Sequence, residues 1–160
     1  MIDYTPPYND DAEMSVIGSV LMDPESIDEV VGKLQPTDFY RVAHQLIFQA
    51  YSKLSDSGKT IDIVILAETL GDDLESVGGV SYLTELATVS PSAAALTEHI
   101  ESFKNKSKMR ALMRNAQSVI EDVVANNDDP DRVISRAEAL LSEGVEQEDK
   151  GFVHIEQSIV

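Results

Sequence analysis

Residues 91–144 read PSAAALTEHIESFKNKSKMRALMRNAQSVIEDVVANNDDPDRVISRAEALLSEG. From Ser92 to about Ala125 there is no glycine or proline. Leu96, Ile100 and Phe103, then Met109, Leu112, Met113, Ala116, Val119, Ile120 and Val123, recur three or four apart, which predicts one long helix. Asn126-Asn127-Asp128-Asp129-Pro130 breaks it, with an acidic N-cap and a proline placed to restart a helix. Val133, Ile134, Ala137, Leu140 and Leu141 form the second stripe. Two helices joined by a short polar turn make an antiparallel hairpin.

Two helices alone cannot bury both stripes, so the back of the hairpin needs a third layer. The hairpin lies at the end of the chain and is expected to project beyond a compact body. Another subunit is therefore the expected cover, with Met109, Leu112, Met113 and Ala116 as the candidate oligomer interface. Near the turn, Ile120, Val123 and Val124 cannot all face the partner helix. At least one should be exposed, marking a candidate docking contact unless the three only complete a dimer core.

The preceding chain is also helical. Asp10 and Glu13 have capping-box spacing ahead of Ala12, Val16, Ile17, Val20 and Leu21. Asp23-Pro24 opens a second helix, ending at Leu34 before Gln35-Pro36. Ala43, Leu46, Ile47, Ala50, Tyr51 and Leu54 share one face of a third, which Ser57-Gly58 ends. Asp62 can cap the next, to Leu70, although the β-branched run Ile61–Ile65 leaves a short strand open. Gly78-Gly79 is a turn, after which Val80, Leu83, Leu86 and Ala87 begin a further helix, and Ser90-Pro91 again pairs a cap with proline. After Ser142 a charged, glycine-bracketed linker appears, and Phe152, Ile155, Ile159 and Val160 start another amphipathic segment. The expected fold is all-α: a compact helical head over 1–103, an antiparallel helical hairpin over 104–143, and a linker with the start of a truncated helix over 144–160.

Composition narrows the function. No apolar run approaches the roughly 20 residues of a membrane span, and no signal peptide opens the chain, so a cytoplasmic location without membrane contact is expected. The absence of cysteine removes disulfides and thiolate metal sites. The formal charge of −17 disfavours strong DNA binding and favours a basic protein partner. Lys104, Lys106, Lys108, Arg110 and Arg114 cluster locally. They are compatible with an anion site or with a strip pairing acidic neighbours, and so acidic a chain favours the second.

Catalytic motifs fail on inspection. Gly58-Lys59-Thr60 has the end of a phosphate loop, but Lys53 stands where that motif requires glycine, so a helix C-cap and turn is the better reading than a nucleotide-binding enzyme. Asn126–Asp131 lacks the central glycine and distal glutamate of a calcium loop. His44, His99 and His154 are far apart, without close ligand spacing, and read as satisfied or exposed side chains. Asp72-Asp73 is a turn. No catalytic, cofactor-binding or metal site is expected.

The ordered landmarks Pro6-Pro7, Ala12–Leu21, Asp38-Phe39-Tyr40-Arg41, His44, Ile47–Ala50, Gly58–Asp62, Val77–Leu83, Pro91–Ala94 and Lys106–Arg110 resemble the N-terminal domain of DnaB-type replicative DNA helicases. The likeness covers roughly Pro6 to Glu143. Ala95 departs from the family's usual asparagine and His99 from a common aromatic, and the loop at Gly71-Asp72-Asp73 is short. The resemblance implies an assembly and docking domain without an active site of its own. Paired hairpins would build a homo-oligomer, a trimer of dimers forming the hexamer collar. Partners would be a DnaG-type primase, docked at Ile120, Val123 and Val124, and in some lineages a helicase loader. ATP and magnesium would belong to a motor domain outside this chain. A free-standing adaptor or phage decoy with the same fold is the alternative.

Overall fold

A computed structural model describes residues 4–89 and 91–143, among which there is no strand. The helices are α1 (Asp10–Met22), α2 (Ile27–Lys33), α3 (Val42–Ser57), α4 (Ile63–Leu70), α5 (Leu74–Val77), α6 (Gly79–Thr88) and α7 (Ala93–Ala125). Residues 130–143 form α8. The all-α class and the long helix leading into a hairpin are as expected. The linker and the apolar segment from Phe152, like Ser90 and His154, lie outside the described residues. Pro7–Ser107 forms one compact unit, and α7 from Lys108 belongs with α8 to a second.

Local signals set most boundaries. Asp23 accepts from the Glu25 amide ahead of Pro24, although the first turn is a 3-10 turn over Pro24–Ser26 and the α-helix begins at Ile27. Asp62 accepts from the Ile65 amide at 2.8 Å, and the β-branched run becomes helix, since a capped turn satisfies its amides without a strand partner. Gly58 takes the left-handed conformation that closes α3, so Gly58-Lys59-Thr60 is a C-cap and turn.

Two expected caps are corrected. Asn9, not Asp10, caps α1, its Oδ1 accepting from the Ala12 amide at 3.1 Å, while its side-chain Nδ2 donates to Ser102 Oγ on α7. Glu13 takes no part in a capping box; it is buried and accepts from the Tyr40 amide across the fold. Ser92 Oγ accepts from the Ala95 amide at the start of α7, so the cap follows Pro91 there.

Helix α1 runs through the middle of the Pro7–Ser107 unit. Ala12, Glu13, Val16, Ile17, Gly18, Ser19 and Val20 are all buried, against α3 and α6 among others. The α3 face predicted from spacing is also found: Ile47, Ala50, Tyr51 and Leu54 are buried, joined by His44 and Phe48. Phe39 packs on Phe48 and Phe103 with ring centroids 5.2 and 5.0 Å away, bringing the start of α7 into this core. Gly78 has φ of 111°, which a side chain rarely adopts, and a Cβ there would meet Tyr82 Cβ.

A polar clasp closes one side of α1. His44 Nε2 lies 2.7 Å from the Tyr82 hydroxyl of α6, and His44 Nδ1 lies 3.7 Å from Glu13 Oε2. Burial raises the Tyr82 pKa, opposed by the Arg41 cation nearby. Arg41 grips Asp10 at the helix start, Nε to Oδ1 at 2.6 Å and Nη2 to Oδ2 at 2.8 Å.

A Cβ at Gly18 would lie 2.1 Å from the Leu86 carbonyl oxygen of α6. Gly18→Ala must therefore push two helix backbones apart and should destabilise the unit by about 1–3 kcal/mol or more. Gly32, in α2, has nothing within 4 Å of the corresponding position. Gly32→Ala should stabilise by about 0.5–1 kcal/mol through helix propensity. Urea midpoints moving in opposite directions would confirm both.

Candidate docking interface on the helical hairpin

The hairpin is held by a face of α7 that is less apolar than its helical spacing suggests. Ala111, Asn115, Ser118, Val119 and Asp122 on this face are half-buried, as is Met113 beside it. Asn115 Nδ2 donates to the Leu140 carbonyl of α8 at 3.0 Å, and Arg136 Nε lies 3.0 Å from Asp122 Oδ2. From α8, Val133 is buried, with Ala137 and Leu140 half-buried at the following turns. The polar turn closes as its sequence implies: Asp129 Oδ1 accepts from the Arg132 amide at 3.4 Å, and Pro130 begins the helix.

Most of the apolar stripe of α7 points elsewhere. Met109, Leu112, Ala116, Ile120 and Val123 also recur three or four apart, but about a third of a turn round from the inner face. The mate helix leaves Met109 54%, Leu112 47% and Ile120 64% exposed, with Ala116 also exposed and Met113 half-buried. Val123 and Val124 are 50% and 75% exposed, so the residues named for assembly and for docking merge into one strip. Ile134 and Leu141 are exposed on α8, at a spacing of two turns. The strip ends among exposed acids: Glu121, Asp128, Asp129 and Asp131 surround the hairpin tip.

The basic run does not make one surface. In a helix, residues two apart point to nearly opposite sides, so Lys104 and Lys108 fall on one side of α7 and Lys106, Arg110 and Arg114 on another. Lys104 donates to the Lys33 carbonyl at 3.1 Å, and Arg110 is buried. Among the described residues no helix is long and apolar enough to cross a membrane.

Residues 5–105 match the family model of the DnaB-like helicase N-terminal domain. The chain belongs to that family. It is 35% identical over 158 residues to the replicative DNA helicase DnaB of Geobacillus stearothermophilus, covering 97% of this chain and 35% of that protein. It is 34% identical to the replicative DNA helicase DnaC of Bacillus subtilis, over 99% and 36%. The chain thus spans about a third of the length of these relatives. Its fold is similar to the N-terminal domain of DnaB helicase from Mycobacterium tuberculosis (TM-score 0.79, 31% identity, 87% of this chain and 99% of that one). It is also similar to a DnaB-like replicative helicase studied for its interactions with primase (TM-score 0.70, 29% identity, 86% of this chain and 31% of that one).

Within this DnaB-like domain, the motifs that carry the resemblance serve mostly as framework. Glu13, His44 and Tyr82 form the clasp, Phe39 fills the aromatic core, and Gly78 makes the turn into α6. The exposed strip falls beyond the residues that the family model matches. Periodicity identified its residues as apolar, but not which way they face. That depends on Asn115 and Asp122, whose polar side chains gave no sign of a buried seam.

The two faces of α7 should respond differently to charge. Val133→Asp places a carboxylate in the seam and should melt the hairpin, seen as lost helical ellipticity and rapid proteolysis after residue 107. Ile120→Glu should change unfolding free energy by no more than about 0.5 kcal/mol, as for an exposed site.

Proposed function

We propose that this chain is the assembly and partner-docking domain of a replicative DNA helicase, acting through the exposed face of its hairpin. One observation carries the reading: a continuous apolar strip from Met109 to Val124 that the hairpin's own mate leaves uncovered. Exposed apolar side chains in a row are a common mark of an interface, and each large one buried contributes roughly 1.5–3 kcal/mol before ordering costs. The N-terminal half of the strip, Met109, Leu112, Met113 and Ala116, packs against a second copy. Repetition of such pairing builds a dimer, and in the intact helicase a hexamer collar.

The C-terminal half, Ile120, Val123 and Val124, receives a DnaG-type primase through that protein's helical C-terminal domain. The interactions with primase studied for a similar DnaB-like helicase support primase as the kind of partner. The acidic tip favours a docking partner with a basic rim, because opposite potentials steer encounter. A helicase loader is a further partner of the same kind, met in the cytoplasm. ATP and magnesium belong to the motor part of the helicase, and the isolated chain neither hydrolyses ATP nor unwinds duplex DNA. With a charge of −17, any DNA binding should be weak and should fade steeply with salt.

Light scattering across concentration tests assembly. The wild type should self-associate at micromolar concentration, and Leu112→Asp, at an exposed site, should be folded and monomeric. A wild type that stays monomeric at high micromolar concentration overturns the assembly reading for this chain. Primase docking is separable. Ile120→Glu with Val124→Glu should keep oligomer mass and thermal midpoint while weakening primase binding at least about tenfold, which is 1.4 kcal/mol. Unaltered binding by that folded variant rejects the site.

A further inference from the structure

In the head, Asp10, Glu13 and His44 bring one ligand-type atom each to within 4.8 Å of one another. They come from α1 and α3, and the three buried side-chain atoms without a hydrogen-bond partner among the described residues are Asp10 Oδ1, Glu13 Oε2 and His44 Nδ1. Glu13 and His44 are at most 1% exposed, so these are not atoms that water readily satisfies. A buried carboxylate oxygen or imidazole nitrogen without a hydrogen bond carries a desolvation cost, and three converging ones form a ready-made donor set. We propose that Asp10, Glu13 and His44 form a binding site for a divalent transition-metal ion of the zinc class.

The chemistry of the set selects the cation. Two carboxylates with one imidazole suit zinc and its neighbours, whereas calcium and magnesium prefer oxygen alone. Ligands about 2.0–2.1 Å from a tetrahedral ion lie about 3.4 Å from each other, close to the 3.7 Å between His44 Nδ1 and Glu13 Oε2. The outer contacts are in place as well. Tyr82 holds His44 Nε2 at 2.7 Å, which orients the ring and leaves Nδ1 facing the carboxylates. The Tyr40 amide fixes the Glu13 carboxylate through Oε1, leaving Oε2 as donor.

Arg41 is the competitor. Its Nε lies 2.6 Å from Asp10 Oδ1 without an aligned hydrogen bond, while Nη2 holds Oδ2 at 2.8 Å. Metal entry requires Nε to release Oδ1, which the half-exposed Arg41 side chain permits, with Nη2 kept on Oδ2. The site thus exchanges one cation for another at Asp10. This makes a prediction of sign that a purely structural clasp does not share: removing Arg41 should strengthen metal binding.

The test uses the full chain with His99→Gln and His154→Gln, so that His44 is the sole imidazole. Isothermal titration with zinc, and visible absorption after cobalt substitution, should show one equivalent bound with a raised thermal midpoint, reversed by chelator. Asp10→Asn, at a partly exposed helix start, keeps the fold and should weaken zinc binding at least about tenfold. Arg41→Ala should tighten it several-fold. The proposal is overturned by the absence of a one-equivalent event, by equal affinity in folded Asp10→Asn, or by unchanged or weaker binding in Arg41→Ala.

Discussion

Burial of α1 on nearly every side is the constraint on which the head depends. A surface helix can offer one apolar stripe and leave the rest to water; α1 has to satisfy neighbours all round. Where α6 comes closest there is room only for Gly18. Where a polar side chain is enclosed it bonds internally, as Ser19 Oγ does to the Val16 carbonyl at 2.7 Å. From α3, Tyr51 reaches in and donates to the Ile17 carbonyl at 2.8 Å. Burial pushes the Tyr51 pKa well above the ordinary phenol range, so that bond keeps its proton across physiological pH. The helix is therefore fixed by contacts of opposite kinds, backbone proximity on one side and polar bonding on others.

That arrangement explains which parts of the fold were legible from residues in order. Caps and turns are local, so Asp23-Pro24, Asp62, Gly58 and Asn126–Pro130 all mark real boundaries. The one-sided stripe of α3 was equally readable, because a half-buried helix writes its buried face as periodicity. The start of α1 misled for a physical reason. Asp10 and Glu13 have the spacing of a capping box, but the long-range claims on them are stronger: Arg41 takes the first and the Tyr40 amide takes the second. Asn9 is left to cap the helix. No local rule could have brought Glu13 and His44 together either, since they meet only once α1 and α3 are packed.

The hairpin was legible in a different, incomplete way. Its two helices and their turn follow from the pattern, and the strip from Met109 to Val124 was identified residue by residue. Its direction was not. A periodic apolar run is ordinarily taken to face the nearest mate, yet of that run only Val119 falls on the inner face, beside Asn115 and Asp122, and Val133 is the buried apolar side chain from α8.

This division has an energetic logic. Polar contacts such as Asn115 to the Leu140 carbonyl contribute modestly, about 0.5–1.5 kcal/mol each, but have narrow geometry, so they set helix register better than they set stability. Apolar contact is the reverse: worth more per side chain, and tolerant of geometry. Using the polar side of α7 to align its mate leaves the larger, less particular term on the outside. A hairpin built this way is weakly stabilised within one chain and gains most when its outer face is covered. Folding of the hairpin is then linked to the covering of its outer face: whatever binds the strip also stabilises the helices that present it.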